Sequence, residues 1–356
     1  MPLSLAKLQH PIVQAPMGGG ASTPALAAAV SDAGGLGFLA AGYKSPDGVR
    51  QEVQALRERT SSAFGVNVFV PSGVPAADAV IERYAATLQG DAEQHGVELG
   101  EPRHDDDGWH DKLQLVADKR VPVVSFSFGC PPAEVIDELR RRGAAVWVTV
   151  THPREATVAA RAGADALVVQ GVEAGAHRGS FDDQSPGEIS LLPLLQLVAA
   201  VVDTPMVATG GLATGHAVAA VLAAGASAAQ LGTAFMLTPE AGTSPTHREA
   251  LRGDNATALT RAFSGRTARG IVNRFLREHS ADAPSAYPEV HHLTSPLRAA
   301  ARASGDADAM HLWAGEAHSL AEEVPAGELV RRLGEDARRV LAETARRFGS
   351  ERGQRS

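Results

Sequence analysis

The chain has 356 residues, 44% hydrophobic and 21% charged, which supplies one large core and argues against a largely disordered chain. Its formal charge of -8, without a basic stripe, removes the counterion release that nucleic-acid binding depends on and so excludes a polyanionic partner. The single cysteine, Cys130, forbids an intrachain disulfide and fits a reducing cytosol; no leader-like N-terminus or long apolar run points to export or a membrane.

From residue 11 to about 237, short apolar runs alternate with alanine-rich helical segments, the signature of parallel βα units. Strands are expected at Pro11 to Ala15, Leu36 to Ala40, Phe64 to Val70, Val121 to Phe126, Ala145 to Val150, Ala166 to Gln170, Pro205 to Ala208 and Ala228 to Leu231. Eight such strands predict a (β/α)8 TIM-type barrel. The phrases SDAGGLGF, RRRGAAVWV, ARAGADALVV and LAAGASAAQL mark recurring helix-to-strand joints, in which glycine provides a left-handed helix cap.

The rhythm breaks near 88–120 into a polar insertion read as loop with some helix. Its cluster His104, Asp105, Asp106, Asp107 and His110 has metal-ligand residue types, but adjacent acids on a loop point in different directions, so a solvated loop or helix cap is expected and no metal site. Residues 1–237 form the expected barrel. Residues 238–356 are read as a helical appendage covering the barrel mouth, followed by C-terminal helices; ALTRAFSG is among the helical segments. The arginine-rich stretch from Arg338 to Arg355 reads as a solvated helix face with a frayed end. Tyr287 and Trp313 are the aromatic residues by which the appendage would cover the site.

Chemistry is expected at the strands' C-terminal ends. Ala208-Thr209-Gly210-Gly211 after the seventh strand and Gln230-Leu231-Gly232-Thr233 at the end of the eighth occupy the positions where TIM barrels bind phosphate, with glycines that let backbone N–H groups approach the anion. The loop Gly171 to Gly179 adds His177 and Arg178 as donors toward an anion or a ring edge. Gln14, Met17 and the glycines after them would let the chain lie against a flat ring. Asn67 on the third strand either bonds such a ring or is a satisfied barrel residue. His152, just past the fifth strand, is either a base or a helix-entry residue.

The stretches QAPMGGGASTPALAAAVSDAGGLGFLAAGY, GVNVFVP, VVSFSFGCP, VVQGVEAGAHRG, ATGGLATG, AAQLGTAFMLTPEAGTSP, LTRAFSGRTARGIVNRF and HLWAG, in this order over residues 10 to 315, resemble the bacterial class I nitronate monooxygenases, formerly 2-nitropropane dioxygenases. The resemblance implies non-covalent FMN, held by Asn67, Gln170, Gly175, Gly211, Gln230, Leu231, Gly232 and Thr233. It also implies oxidation of alkyl nitronates by O2 to carbonyl compounds and nitrite. One departure stands out: where the family often has His in an FHFG motif, this chain reads Phe126-Ser127-Phe128-Gly129. A serine cannot take a proton near neutral pH without its own base, so Ser127 is either a hydrogen-bond donor or a spacer, and His177 and His152 become the alternative bases.

The expected partners are a small nitronate and O2, with a homodimer admitted, and the expected location is cytoplasmic. Two rivals share the barrel: a flavin-dependent NAD(P)H reductase of quinones or enoyl thioesters, and a non-enzymatic protein that binds FMN or a phosphorylated ligand. Neither Gly-rich loop follows the first strand as GxGxxG, which argues against a Rossmann dinucleotide site.

Overall fold

Short β-branched and alanine runs pair in parallel because each is followed by a helix that returns the chain to the same edge. In the computed structural model, which describes residues 3–71 and 74–350, the strands in chain order are β1 (Ile12–Gln14), β2 (Gly37–Ala40), β3 (Phe64–Phe69), β4 (Val123–Ser127), β5 (Ala145–Val150), β6 (Ala166–Gln170), β7 (Ala176–His177), β8 (Met206–Thr209), β9 (Ala228–Leu231), β10 (Thr257–Thr260) and β11 (Ala268–Ile271). Eight of them, in the order β1-β9-β8-β6-β5-β4-β3-β2, make one parallel sheet. The sheet closes through the bridge between Val13 and Leu36, where the Gln14 N–H donates to Leu36 O at 2.9 Å. The result is the (β/α)8 barrel expected from the strand count.

The outer helices are α1 (Pro24–Asp32), α2 (Pro46–Arg59), the trio α3 (Asp78–Thr87), α4 (Gln89–His95) and α5 (Trp109–Asp118) between β3 and β4, then α6 (Ala133–Arg141), α7 (Pro153–Ala162), α8 (Leu191–Ala199) and α9 (Gly215–Ala223). The hydroxyls of Thr23, Ser45 and Thr214 cap three of them, and proline opens α1, α2 and α7, where its missing N–H costs nothing. All four joint glycines, Gly34, Gly143, Gly163 and Gly225, have φ between 86° and 100°, the left-handed conformation their phrases call for.

Alternation along the strands sorts the barrel interior into two layers. The lower inward positions are apolar: Val13, Phe38, Val123, Trp147, Val168 and Val207 form one buried cluster, with the Phe38 and Trp147 rings 5.5 Å apart. Gly65 makes room for this plug, since a Cβ there would stand 2.2 Å from Phe38 Cε1. Further along the strands the inward positions turn polar, giving Asn67, Ser127, Thr149, Gln170, Thr209 and Gln230. Gln170, Thr209 and Gln230 are register partners on three successive strands. The barrel is therefore a filled apolar base beneath a polar floor.

Beyond β9 the chain does not stay helical. It contains α10 (Pro245–Arg252), the antiparallel pair β10 and β11, α11 (Arg274–His279) and α12 (Glu289–Ser304). The expected helix over ALTRAFSG is thus corrected to a strand and turn. The cause is tertiary: ALTRAFSG supplies β10, which pairs with β11, and β11 pairs in turn with β7, with Ala268 opposite His177, so the segment becomes the edge of a three-stranded sheet above the barrel. A buried cluster that includes Phe263, Phe275, Val290, Leu297 and Leu312 holds this cap together. Finally α13 (Ala326–Ser350) packs between α9 and α1, burying Leu329, Val330, Leu333 and Ala337 in the barrel's outer core. Gly215 permits that approach, because a Cβ there would lie 2.3 Å from Asp336 Cβ. The end of the arginine-rich tail, from residue 351, lies outside the described residues.

Candidate active site

A cavity of about 670 Å3 sits between the polar floor and the cap. On its floor, Asn67 donates from Nδ2 to Ser125 Oγ at 2.9 Å and to Ser127 Oγ at 3.2 Å. Thr149 Oγ1 lies 3.3 Å from the same Ser127 oxygen. Asn67 is thus fixed by its barrel neighbours, the satisfied reading, and at the same time lines the cavity. Ser127 has only neutral partners here.

One side of the cavity is built from backbone. Gly210 (φ 125°) and Gly211 (φ 65°) turn the chain out of β8, and Gly232 and Thr233 open a short 3-10 turn after β9. Met17, Gly175, Gln230 and Leu231 complete this side. The approach is close: a Cβ on Gly175 would stand 2.5 Å from the Gly315 nitrogen, and the Gly315 N–H donates to Thr233 Oγ1 at 3.0 Å. Side chains are kept out of this corner, which leaves a backbone cradle of the kind that binds phosphate.

The loop after β6 crosses the cavity and is pinned from below. Gln170 donates from Nε2 to His177 O at 3.1 Å and accepts the Gly179 N–H on Oε1 at 2.8 Å. Arg178, expected to face an anion, points the other way. Its buried guanidinium donates to Gln170 O, Gly171 O and Gly187 O at 2.9, 2.8 and 3.3 Å, so it serves as an internal tie for loop carbonyls. His177 does line the cavity, with Nε2 2.8 Å from Ser264 Oγ. Burial holds its pKa down to about 3, reinforced by the charges of Arg266 and Arg298.

The cap supplies the remaining wall, and most of its polar residues were not legible beforehand. His247 and His311 line the cavity beside Trp313, and α12 presents His291, Ser295, Arg298 and Arg302. Those four stand at spacings close to successive helical turns, so they share one face. Arg298 donates to Thr294 Oγ1 at 2.9 Å and to His291 O at 2.7 Å. Arg302 ties α12 to the loop after β1 through Gly19 O at 3.2 Å. Trp313 lines the cavity as expected of a cover; Tyr287 stands behind the lining, its ring 6.1 Å from His177 and 5.6 Å from Phe128.

Backbone strain gathers here. Tyr43, Phe128 and Ala176 are non-glycine residues with φ of 67°, 76° and 61°, and all three line the cavity. Phe128 is held under the Arg266 guanidinium, 4.0 Å above its ring.

Two sequence candidates stand apart from the cavity. Gln14 is fully buried, donating to Ser22 Oγ and Ala15 O and accepting the Phe38 N–H, and so closes the barrel at β1. His152 caps α7 by accepting the Arg154 N–H on Nδ1 at 3.1 Å, which is the helix-entry reading. The remaining candidates, Met17, Asn67, Ser127, Gln170, Gly175, His177, Gly210, Gly211, Gln230, Leu231, Gly232 and Thr233, all line one cavity.

Its electrostatics are one-sided. Among the described residues no Asp or Glu lines the cavity, whereas two arginines and four histidines do, in a chain of formal charge -8. Burial depresses the pKa of Arg298 to about 10, and among the described residues no carboxylate is bonded to its guanidinium. Such a wall receives anions. The glycine cradle, the polar floor and the flat aromatic side together fit a phosphorylated planar ring such as FMN.

Sequence and structure comparisons point the same way. The nitronate monooxygenase family matches residues 2–336. A nitronate monooxygenase of Pseudomonas aeruginosa is 40% identical over 94% of this chain and 98% of its own length, and one of Paraburkholderia phytofirmans is 38% identical over 98% and 97%. Among solved structures, a nitroalkane oxidase from Streptomyces ansochromogenes shares 52% identity with a TM-score of 0.92, covering 97% of this chain and 100% of that one. FabK from Thermotoga maritima shares 28% identity with a TM-score of 0.75, covering 98% and 97%.

Proposed function

Since this chain belongs to the nitronate monooxygenase family, we propose that it binds FMN and uses O2 to convert alkyl nitronates into carbonyl compounds and nitrite. The observation that carries the reading is that Arg298 and Arg302 line the cavity while, among the described residues, no carboxylate does, which suits both a phosphorylated cofactor and an anionic substrate. When bound, FMN supplies the electron acceptor.

The chain's own residues do the rest. Backbone N–H groups of the Gly211 and Gly232 turns hold the phosphate, and Asn67, Gln170 and Gln230 meet the polar edge of the ring. Arg298 attracts the nitronate, and His177, neutral at pH 7, faces it from the loop after β6. The cap excludes water, which strengthens each of these contacts. No membrane helix complicates this picture: among the described residues, none is long and apolar enough to span. The one cysteine fits a cytosolic setting.

Purified protein is expected to show flavin absorption and to release nitrite from ethyl nitronate with uptake of O2. A flavoprotein inert toward nitronates that instead oxidises NAD(P)H with an enoyl thioester or quinone would establish the rival reading, which the likeness to FabK keeps under test.

A further inference from the structure

The acidic run of the polar insertion takes no part in the chemistry above, yet it reaches the cavity wall. Lys112, with no exposed side-chain surface, places Nζ 2.7 Å from Asp107 Oδ2. The other carboxylate oxygen of Asp107 accepts the backbone N–H of Tyr43 at 3.0 Å. Tyr43 is one of the strained residues, at φ 67°. Its ring stacks on His291, with centroids 4.1 Å apart and planes within 10°, and His291 Nδ1 lies 3.2 Å from an Arg298 nitrogen. The insertion also grips α12 directly, because Asp105 pairs with His292 at 2.8 Å and His104 with Glu289 at 3.0 Å. Asp107 and Asp105 are joined in turn, the Asp107 N–H donating to Asp105 Oδ1 at 3.2 Å.

A buried ion pair is a poor way to gain stability, since apolar residues of similar volume often do as well. A left-handed tyrosine, by contrast, persists only where its surroundings impose it. We propose that Asp107 is a positioning residue: its carboxylate oxygen, with Lys112 only balancing the buried charge, fixes the backbone of Tyr43, and through the stack of Tyr43 on His291 it sets Arg298 at the substrate end of the cavity. The kinetic part of this inference rests on the nitronate reading; the structural part does not.

Two double variants separate positioning from mere stability. Asp107→Asn/Lys112→Met removes both charges but keeps an oxygen to accept the Tyr43 N–H, and asparagine tolerates the φ of 54° at position 107. Asp107→Gly/Lys112→Met suits the same backbone and removes the acceptor. In amide hydrogen exchange, Tyr43 should keep wild-type protection in the Asn double and exchange about three- to tenfold faster in the Gly double, the worth of one hydrogen bond. With FMN loaded, the Gly double should raise KM for ethyl nitronate about five- to tenfold with kcat within about twofold, while the Asn double matches wild type. Indistinguishable doubles, whether both intact or both impaired, would overturn the proposal. Should the Gly double not fold, Tyr43→Leu must produce the same rise in KM, and an unchanged KM overturns it equally. Wild-type protein without nitronate turnover would refute the functional reading and leave the exchange data to decide the positioning.

Discussion

A neutral nitroalkane must lose its α-proton before it gives up an electron readily, whereas a nitronate arrives deprotonated, so only the first needs a general base. Ser127 cannot be that base, because its hydroxyl meets only the amide of Asn67 at 3.2 Å and the hydroxyl of Thr149 at 3.3 Å. His177 has an unprotonated nitrogen at pH 7, but a pKa of about 3 makes it a weak proton acceptor. A well-matched base contributes about 100- to 10,000-fold, so kcat/KM for ethyl nitronate should exceed that for nitroethane by at least about 100-fold. Ser127→Ala removes one neutral hydrogen-bonding group, worth about 0.5–1.5 kcal/mol, and should leave nitronate turnover within about tenfold of wild type. Ser127→His should add nitroalkane activity and leave nitronate activity little changed. The assay is nitrite release from the matched pair of substrates at saturating O2. Comparable kcat/KM for the two forms, or loss of nitronate turnover in Ser127→Ala with flavin still bound, would refute the reasoning.

Other consequences are equally direct. Gly211→Glu places a side chain at φ 65°, with its Cβ about 3.0 Å from that of Glu173, and brings a negative charge to the phosphate cradle, so the purified variant should lack flavin absorption; full FMN occupancy would contradict the cradle. Burial lowers the pKa of His177, His247 and His291 to about 3, 4 and 2, and that of His311 well below its usual value. Unfolded, each would titrate near 6.5, so the unfolded state binds more protons, and stability present above that pH is lost progressively as pH falls toward the folded values. His247→Asn should therefore flatten the pH dependence of unfolding between about pH 6 and 4 by about one proton, and an unchanged slope would contradict the burial argument. Arg178→Met strands three loop carbonyls and should cost about 3–5 kcal/mol in urea unfolding, whereas a cost within about 1 kcal/mol would deny its role as a tie.

The barrel was legible because its signals are local. Three strands, β5, β6 and β9, have the boundaries read from their apolar runs, and the joint glycines announce the returns. The glycine cradle was legible for the same reason: a phosphate site after the seventh and eighth strands depends on backbone and position. The cap was not. ALTRAFSG holds good helix formers, and only its pairing with β11, itself anchored to the two-residue strand at His177 about 90 positions earlier, makes it sheet. The spacing of His291, Ser295, Arg298 and Arg302 places them on one helical face, but nothing local tells which way that face turns. Asp107 likewise showed its residue type and hid its partners, because Tyr43 lies 64 residues away and is reached through its backbone.

The central claim is that electrons enter this cavity from a nitronate. The most direct test mixes the FMN-loaded protein with ethyl nitronate in the absence of oxygen and follows the visible flavin band, with NADH and NADPH in parallel mixtures. The account predicts rapid bleaching by the nitronate, little by either nicotinamide, and recovery of the band with nitrite release once oxygen is admitted. Rapid bleaching by NADH or NADPH with none by the nitronate would contradict it.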